Sequence, residues 1–358
     1  MNYRIRMHWT PSHYTSVRSS YSKILNAIII RPMVESIFME QAMGRFLWSD
    51  IISHIDIPSS NSSHMDGFAV KHKDIRRMSR HGIIKLRVVP GKKDGKSENQ
   101  ILQLGQAIRI STGEVLPRLA DTVIPVEYAD FDAKGNTVTI QRDFAKGSFV
   151  SYKGNEIASK DLLLCKGHAL RAQDLALVSM LGIRKLKVFK KPRVAIIPTG
   201  NELTEEFTGI NRGKILNTNS RVISNLIETS GGAPKDLGIT PDNIEKIKNK
   251  IRIALSESDI ILTTGGSSVG LRDLVAESVN EIGKPGILVH GIKLDRGRVT
   301  GLGALLRRPI IILPGPIQGA VNAFTMFALP LIRLMLGLQP YPKPFISAKL
   351  TENWNARK

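Results

Sequence analysis

The spacing of apolar positions changes character along the chain. Residues 33–52 carry apolar spacing compatible with a helix. Between 53 and 190, short β-rich runs at 83–89, 107–110, 122–126 and 137–140 are separated by clusters of Gly, Pro, Asn and Asp, the pattern of small sheets joined by turns. A helix is predicted at 172–182, where Leu175, Leu177, Val178 and Leu181 recur and Gly182 stands at the stop. From Pro192 the rhythm becomes strand–helix alternation. Strand 193–198 precedes a helix at 220–230 with Val222, Ile223, Leu226 and Ile227 on one face. Strand 237–239 follows, then Thr240-Pro241-Asp242 as N-cap, N1 proline and first-turn acid of a helix carrying Ile244, Ile247, Ile251 and Ala254. Strand 260–262, helix 274–282, strands 287–290, 298–302 and 309–313, and a helix over 317–336 complete the series.

Such alternation predicts a three-layer α/β domain with a mostly parallel sheet, accompanied by β-rich and mixed N-terminal domains. The expected organisation is a basic tail over 1–34, a mixed linker domain made of 35–53 and 151–191, a β-rich domain over 54–150, the α/β domain over 192–337, and a proline-rich linker opening a further domain over 338–358.

Charge narrows the partners. Lys and Arg outnumber Asp and Glu by 51 to 31, a net charge of +20 that suits nucleic acid, an acidic membrane surface, or phosphorylated and oxoanion ligands. In the densest basic run, 184–193, Leu186 and Val188 alternate with Lys185 and Lys187, as on a half-buried strand with a solvated face. Aromatic residues, at 6%, do not interleave with the basic runs, which argues against a stacking platform for single strands. The most apolar window, 323–338, is interrupted by Pro330 and Arg333, so no membrane span is expected. A lone Cys165 excludes an internal disulfide framework and a Cys-based zinc site. No acid precedes Glu35, whereas Arg4, Arg6, Arg18, Lys23, Arg31 and five serines do. That composition fits either a transit peptide or a basic tail leading into a short helix; a cytoplasmic location is expected.

Candidate chemistry gathers where strands end. The run Ile260, Ile261, Leu262 gives way to Thr263, Thr264, Gly265, Gly266, Ser267, Ser268 and Gly270, and then to Asp273. Glycines let a backbone approach a ligand, and successive N–H groups with four hydroxyls cradle an anion. Neither a Walker A nor a GxGxxG spacing is present, and a Gly-rich turn with Ser caps has the same pattern. Two other strand ends carry acids, Thr199-Gly200-Asn201-Glu202 and Thr240-Pro241-Asp242. Ligands of open α/β sheets bind beyond such ends. Three carboxylates there suit Mg²⁺, which takes one or two carboxylates plus substrate oxygens. Asp242 and Asp273 equally fit acids that offset a helix dipole.

At this point the chain resembles the molybdopterin molybdenumtransferases, the MoeA and gephyrin E-domain group, from about residue 35 to 337. Five segments match in the family's order: 56–70 with Met65-Asp66-Gly67, 109–121 with Thr112-Gly113, Thr199-Gly-Asn-Glu-Leu203, Gly265–Gly270 with Asp273, and Leu313-Pro314-Gly315. The resemblance implies a MogA-like α/β fold and insertion of molybdate into adenylylated molybdopterin with release of AMP, assisted by Mg²⁺. It also implies a homodimer whose site lies at the subunit interface, with a molybdopterin adenylyltransferase as upstream partner and no membrane or specific nucleic acid. Carried over by motif, Glu202, Asp242, Asp273 and Asp66 are the expected catalytic residues. The first three are the expected metal ligands. Substrate binding is expected from Thr112, Glu156, Thr199, Thr264, Gly265, Gly266, Ser267, Ser268, Arg296, Arg298, Pro314 and Gly315.

The chain departs from the family on the oxoanion side. Two lysine positions fall on Gly291 and Asp295, with Lys293, Arg296 and Arg298 as the remaining cations. Pro316 stands where an Asn is usual, and Asn155 replaces an acid before Glu156. The family's C-terminal β-barrel is represented only by its expected first strand. Two other readings stay open: a diverged molybdopterin-binding protein without turnover, and a basic nucleic-acid-binding protein.

Overall fold

The computed structural model describes residues 14–78, 82–91, 99–208, 213–265, 273–340, 347–349 and 351. The chain divides into two compact units. One holds Asp50–Cys165 and Ser179–Gly182, the other Met1–Ser49, Lys166–Val178 and Ile183–Lys358.

The first unit is β-rich. Its main sheet contains β1 (Gly67–Val70), β2 (Ile84–Val89), β3 (Gln106–Ile110), β4 (Thr122–Pro125), β5 (Ala129–Asp132) and β6 (Thr137–Ile140), in the order β4-β1-β3-β2-β6-β5. Only β2 and β3 run parallel. Along β2, buried Ile84 and Leu86 alternate with exposed Lys85 and Arg87, the period expected of a half-buried strand. Phe68, Leu86, Ile124, Val138 and Ile140 form the core. Gly67 admits the β4 backbone so closely that a Cβ there would lie 2.1 Å from the Ile124 carbonyl oxygen.

The second unit is the predicted three-layer α/β fold. Its sheet contains β7 (Arg193–Pro198), β8 (Ala233–Asp236), β9 (Ile260–Thr264), β10 (Pro285–His290), β11 (Gly301–Leu305) and β12 (Arg308–Leu313), ordered β8-β7-β9-β12-β11-β10. β8, β7, β9 and β12 are parallel, and β11 and β10 extend them antiparallel. Strands buried on both sides must be apolar throughout. Accordingly Val194 and Ile196 of β7 face α1 (Val17–Ala27), α2 (Thr218–Thr229) and α5 (Ile317–Met335). Ala195 and Ile197 face α3 (Ile244–Glu257) and α4 (Leu274–Ile282). α1 is capped by Ser16, whose hydroxyl accepts from the Ser19 amide, and it buries Ile24; part of the predicted tail is therefore a layer of the fold, while residues 1–13 lie outside the described residues.

α5 is long and apolar enough to cross a membrane by length and composition, and half of it is buried. Phe324, Phe327, Leu331 and Ile332 fill the core beneath the sheet. A widened turn at Phe324–Ala328, where the Leu329 amide reaches the Phe324 carbonyl, makes room for Pro330 within the helix.

Four expectations need correction. Residues 33–52 are not a helix: Val34–Phe38 is a strand paired antiparallel with Lys185–Phe189. The strand expected at 237–239 lies at Ala233–Asp236, on the sheet edge, where Pro234 removes no needed donor. The strand expected at 298–302 lies at Gly301–Leu305, because 291–300 forms turns. The helix after 240 is capped by Asn243, which accepts from the Lys246 amide, and not by Thr240. The expected barrel strand at 345–358 falls almost wholly outside the described residues.

Candidate functional site

Three parallel strands of the α/β unit end side by side. Pro198 pairs with Thr264, and Thr264 with Leu313. The next residues, Thr199, Gly265, Pro314 and Gly315, therefore share the carboxyl edge of the sheet. Thr199 donates its amide to the Thr264 carbonyl at 2.8 Å. Gly265 has φ +81°, and a Cβ on it would lie 2.3 Å from the Thr199 carbonyl oxygen. No other residue fits there without displacing the neighbouring strand end. A Cβ on Gly315 would meet the Gly265 Cα at 4.0 Å, so these two backbones face each other without side chains between them. The Asn219 side-chain Nδ2 donates to the Gly315 carbonyl at 2.7 Å and ties the start of α2 to this edge. Thr240 and Thr263 are buried at the same end, and among the described residues neither hydroxyl has a hydrogen-bond partner. Gly266, Ser267 and Ser268 lie outside the described residues.

Glu202 and Asp242 belong to two loops joined at this edge. Thr199 bridges Thr240, and the Gly200 amide donates to the Thr240 carbonyl at 3.1 Å. Asp242 Oδ2 accepts from the Asn201 amide, and Asn201 Oδ1 accepts from the Asp242 amide, each at 3.1 Å. Because Asn243 is the helix cap, Asp242 is left to brace Asn201 instead of starting a helix. The Glu202 carboxylate folds against Gly200, where a Cβ would sit 2.5 Å from Glu202 Oε1. Both acids are exposed.

Asp273 has other partners. Its Oδ1 accepts from the Ala276 amide at 2.9 Å and caps α4, while Oδ2 lies 2.8 Å from His290 Nε2. Among the described residues no three His, Cys, Asp or Glu side chains group closely enough to hold a metal ion. The expected three-carboxylate cage is thus not preformed: Glu202 and Asp242 share a corner, and Asp273 serves as a helix cap. The donor set at that corner, two exposed carboxylates on joined loops, fits Mg²⁺ completed by ligand oxygens.

Of the cations, Arg296 reaches the edge. Its side chain donates to Gln318 Oε1 at the start of α5. Gly319 packs its bare Cα between the Arg296 carbonyl oxygen and the Pro314 ring; a Cβ there would lie 2.3 Å from the oxygen and 2.9 Å from the ring. Arg298 is exposed on the same turn. Asn201, Asn219, His290 and Gln318 were not singled out from the sequence. Their roles arise from contacts across 17 to 96 residues that no local pattern displays.

The β-rich unit carries its own polar corner. Asp66 Oδ1 accepts from the Thr112 amide at 2.6 Å and the Thr112 hydroxyl at 2.9 Å. These two bonds, the amide first, with Arg109 nearby, hold the Asp66 carboxyl below the usual carboxylate range. Glu156 is exposed on a separate loop, its amide donating to the Ile57 carbonyl.

Residues 15–182 match the family model described as the MoeA N-terminal region (domain I and II), and residues 195–334 match the probable molybdopterin binding domain. A molybdopterin molybdenumtransferase of Staphylococcus epidermidis is 31% identical over 320 residues, covering 89% of this chain and 76% of the relative. The chain belongs to the MoeA family of molybdopterin molybdenumtransferases. A Staphylococcus aureus member is 29% identical, covering 94% of this chain and 80% of the relative. The crystal structure of the molybdopterin biosynthesis MoeA protein from Pyrococcus horikoshii OT3 shares the fold with a TM-score of 0.76 at 30% identity, covering 91% of this chain and 80% of that one. Family membership places the carboxyl edge within the matched molybdopterin-binding segment.

Proposed function

We propose that this chain completes the molybdenum cofactor, inserting molybdate into adenylylated molybdopterin and releasing AMP. The observation that carries this reading is the approach of Gly265 and Gly315, with no side chain between them and against the Thr199 carbonyl, inside the segment matching the probable molybdopterin binding domain. The bare backbones receive the pterin-linked phosphate, with Thr199 and Thr264 beside it. Glu202 and Asp242 are the residues that would hold Mg²⁺, which when bound offsets charge on the phosphoanhydride. Asp273, fixed by the α4 cap and by His290, would add a third carboxylate to that cation's shell. Arg296, steadied by Gln318, and Arg298 attract the molybdate dianion. Asp66 and Thr112 act across the subunit interface of a homodimer.

Incubation with adenylylated molybdopterin, Mg²⁺ and molybdate is expected to release AMP only when molybdate is present. No release, or release independent of molybdate, overturns the transferase reading. Tight binding without release instead favours a binding protein that has lost turnover. Gly291 and Asp295, standing at family lysine positions, are the observation behind that second reading.

A further inference from the structure

The opposite edge of the same sheet carries features that the proposed reaction does not use. Here β7, β9 and β12 begin, at Arg193, Ile260 and Arg308. A pocket of about 310 Å³ opens among Arg31, Lys190, Arg307 and Arg308, with Ile29, Met33 and Met335 as its apolar wall. Its single acid, Asp259, is already engaged: Oδ2 accepts from the Arg193 amide at 2.8 Å and Oδ1 from Arg193 Nη2 at 3.1 Å. Among the described residues none of the four lining cations forms an ion pair. Arg308 Nη1 is buried without any hydrogen-bond partner there. A buried guanidinium nitrogen without an acceptor is costly unless something binds it.

The backbone holds this arrangement in place. β11 and β12 are joined by Leu306 at φ +49° and Arg307 at φ +61°, consecutive left-handed positions that usually take Asn-Gly. Non-glycine residues at such positions are uncommon and strained. The Ile29 amide donates to the Arg307 carbonyl at 3.0 Å, and the Lys190 amide donates to the Met33 carbonyl at 2.8 Å. Both walls are thus fastened before any ligand arrives.

We propose that this amino-end pocket is a second ligand site, which takes a small organic phosphate. Guanidinium forks match phosphate oxygens bidentately. The volume sits at the lower end of small-molecule sites and admits a phosphate with a ring-sized body. The apolar wall selects for that body, which a bare oxyanion lacks. The site is independent of the transferase reading, since it uses none of the carboxyl-edge residues.

The test is calorimetric titration of the full chain with phenyl phosphate and with inorganic phosphate. Phenyl phosphate is expected to bind saturably and more tightly than inorganic phosphate, which competes with it. Arg308→Gln is expected to weaken binding tenfold or more, and Arg31→Gln and Lys190→Gln severalfold each. The last two side chains are exposed, so these variants keep the test valid if Arg308→Gln does not fold. Arg296→Gln, at the far edge, is expected to leave the affinity unchanged. Equal affinity in the Arg31 and Lys190 variants, or loss in Arg296→Gln, overturns the assignment. Unsaturable binding that vanishes with added salt does so too, since it marks diffuse surface charge. Phenyl phosphate binding no better than inorganic phosphate overturns the organic part.

Discussion

At its carboxyl end the α/β sheet presents Gly265 and Gly315 as bare backbone against the Thr199 carbonyl, with Glu202, Asp242 and Asp273 each braced by a main-chain amide or folded on a glycine. At its amino end the same strands carry Arg31, Lys190, Arg307 and Arg308 around one pocket, with a single, already paired acid. The first end is shaped by what side chains leave out, the second by long side chains held close together. The carboxyl end should therefore be most sensitive to added atoms, and the amino end to lost charge.

The largest effect is expected from adding one carbon at the carboxyl end. Gly265→Ala places a methyl 2.3 Å from the Thr199 oxygen at a φ of +81°. A cost of about 3 kcal/mol follows, read as a fall of roughly 6–12 °C in the melting temperature of the α/β unit. An unchanged melting curve would mean that the edge can open, which removes the argument for a rigid cradle. Next, Asp242→Asn and Glu202→Gln should each lower AMP release on the order of 100-fold with little change in melting temperature. Equal turnover would take the cation corner out of the account. Asn219→Ala removes the donor to the Gly315 carbonyl and should cost about 1 kcal/mol, visible in thermal unfolding and as a raised KM.

The β-rich unit offers the smallest effect. Thr112→Val removes one of the two bonds that hold down the Asp66 pKa, so that pKa should rise, measured by carboxyl NMR. A depressed folded-state pKa contributes stability above the unfolded value and loses it as pH falls through the folded one. The variant should therefore lose less stability between neutral and acid pH than the parent. A lowered or unmoved pKa would show that the hydroxyl is not a partner in solution.

Much of this fold was legible because strands buried on two faces leave continuous apolar runs. The runs at 193–198, 260–262 and 309–313 lie where β7, β9 and β12 are found. The misread regions share a cause. Val34–Phe38 owes its strand to Lys185–Phe189, some 150 residues away, and its half-exposed pattern imitates helical spacing over a short window. Ala233-Pro-Lys-Asp236 has no apolar run because an edge strand does not need one. In the site, glycines and acids were visible as motifs, yet their grouping was not. Asp242 looked like a helix start and is a loop brace. Asp273 fitted either a metal ligand or an acid at a helix start, and the structure shows it capping α4 with His290, a partner 17 positions on, beside it.

Molybdenum insertion is proposed for the carboxyl end of this sheet and not for its amino end. Molybdate-dependent AMP release by the parent chain, Asp273→Asn and Arg31→Gln tests it most directly, because Asn preserves the α4 cap. The expected result is that Arg31→Gln matches the parent while Asp273→Asn stays folded and loses turnover on the order of 100-fold. Normal turnover by Asp273→Asn, or loss in Arg31→Gln alone, would contradict it.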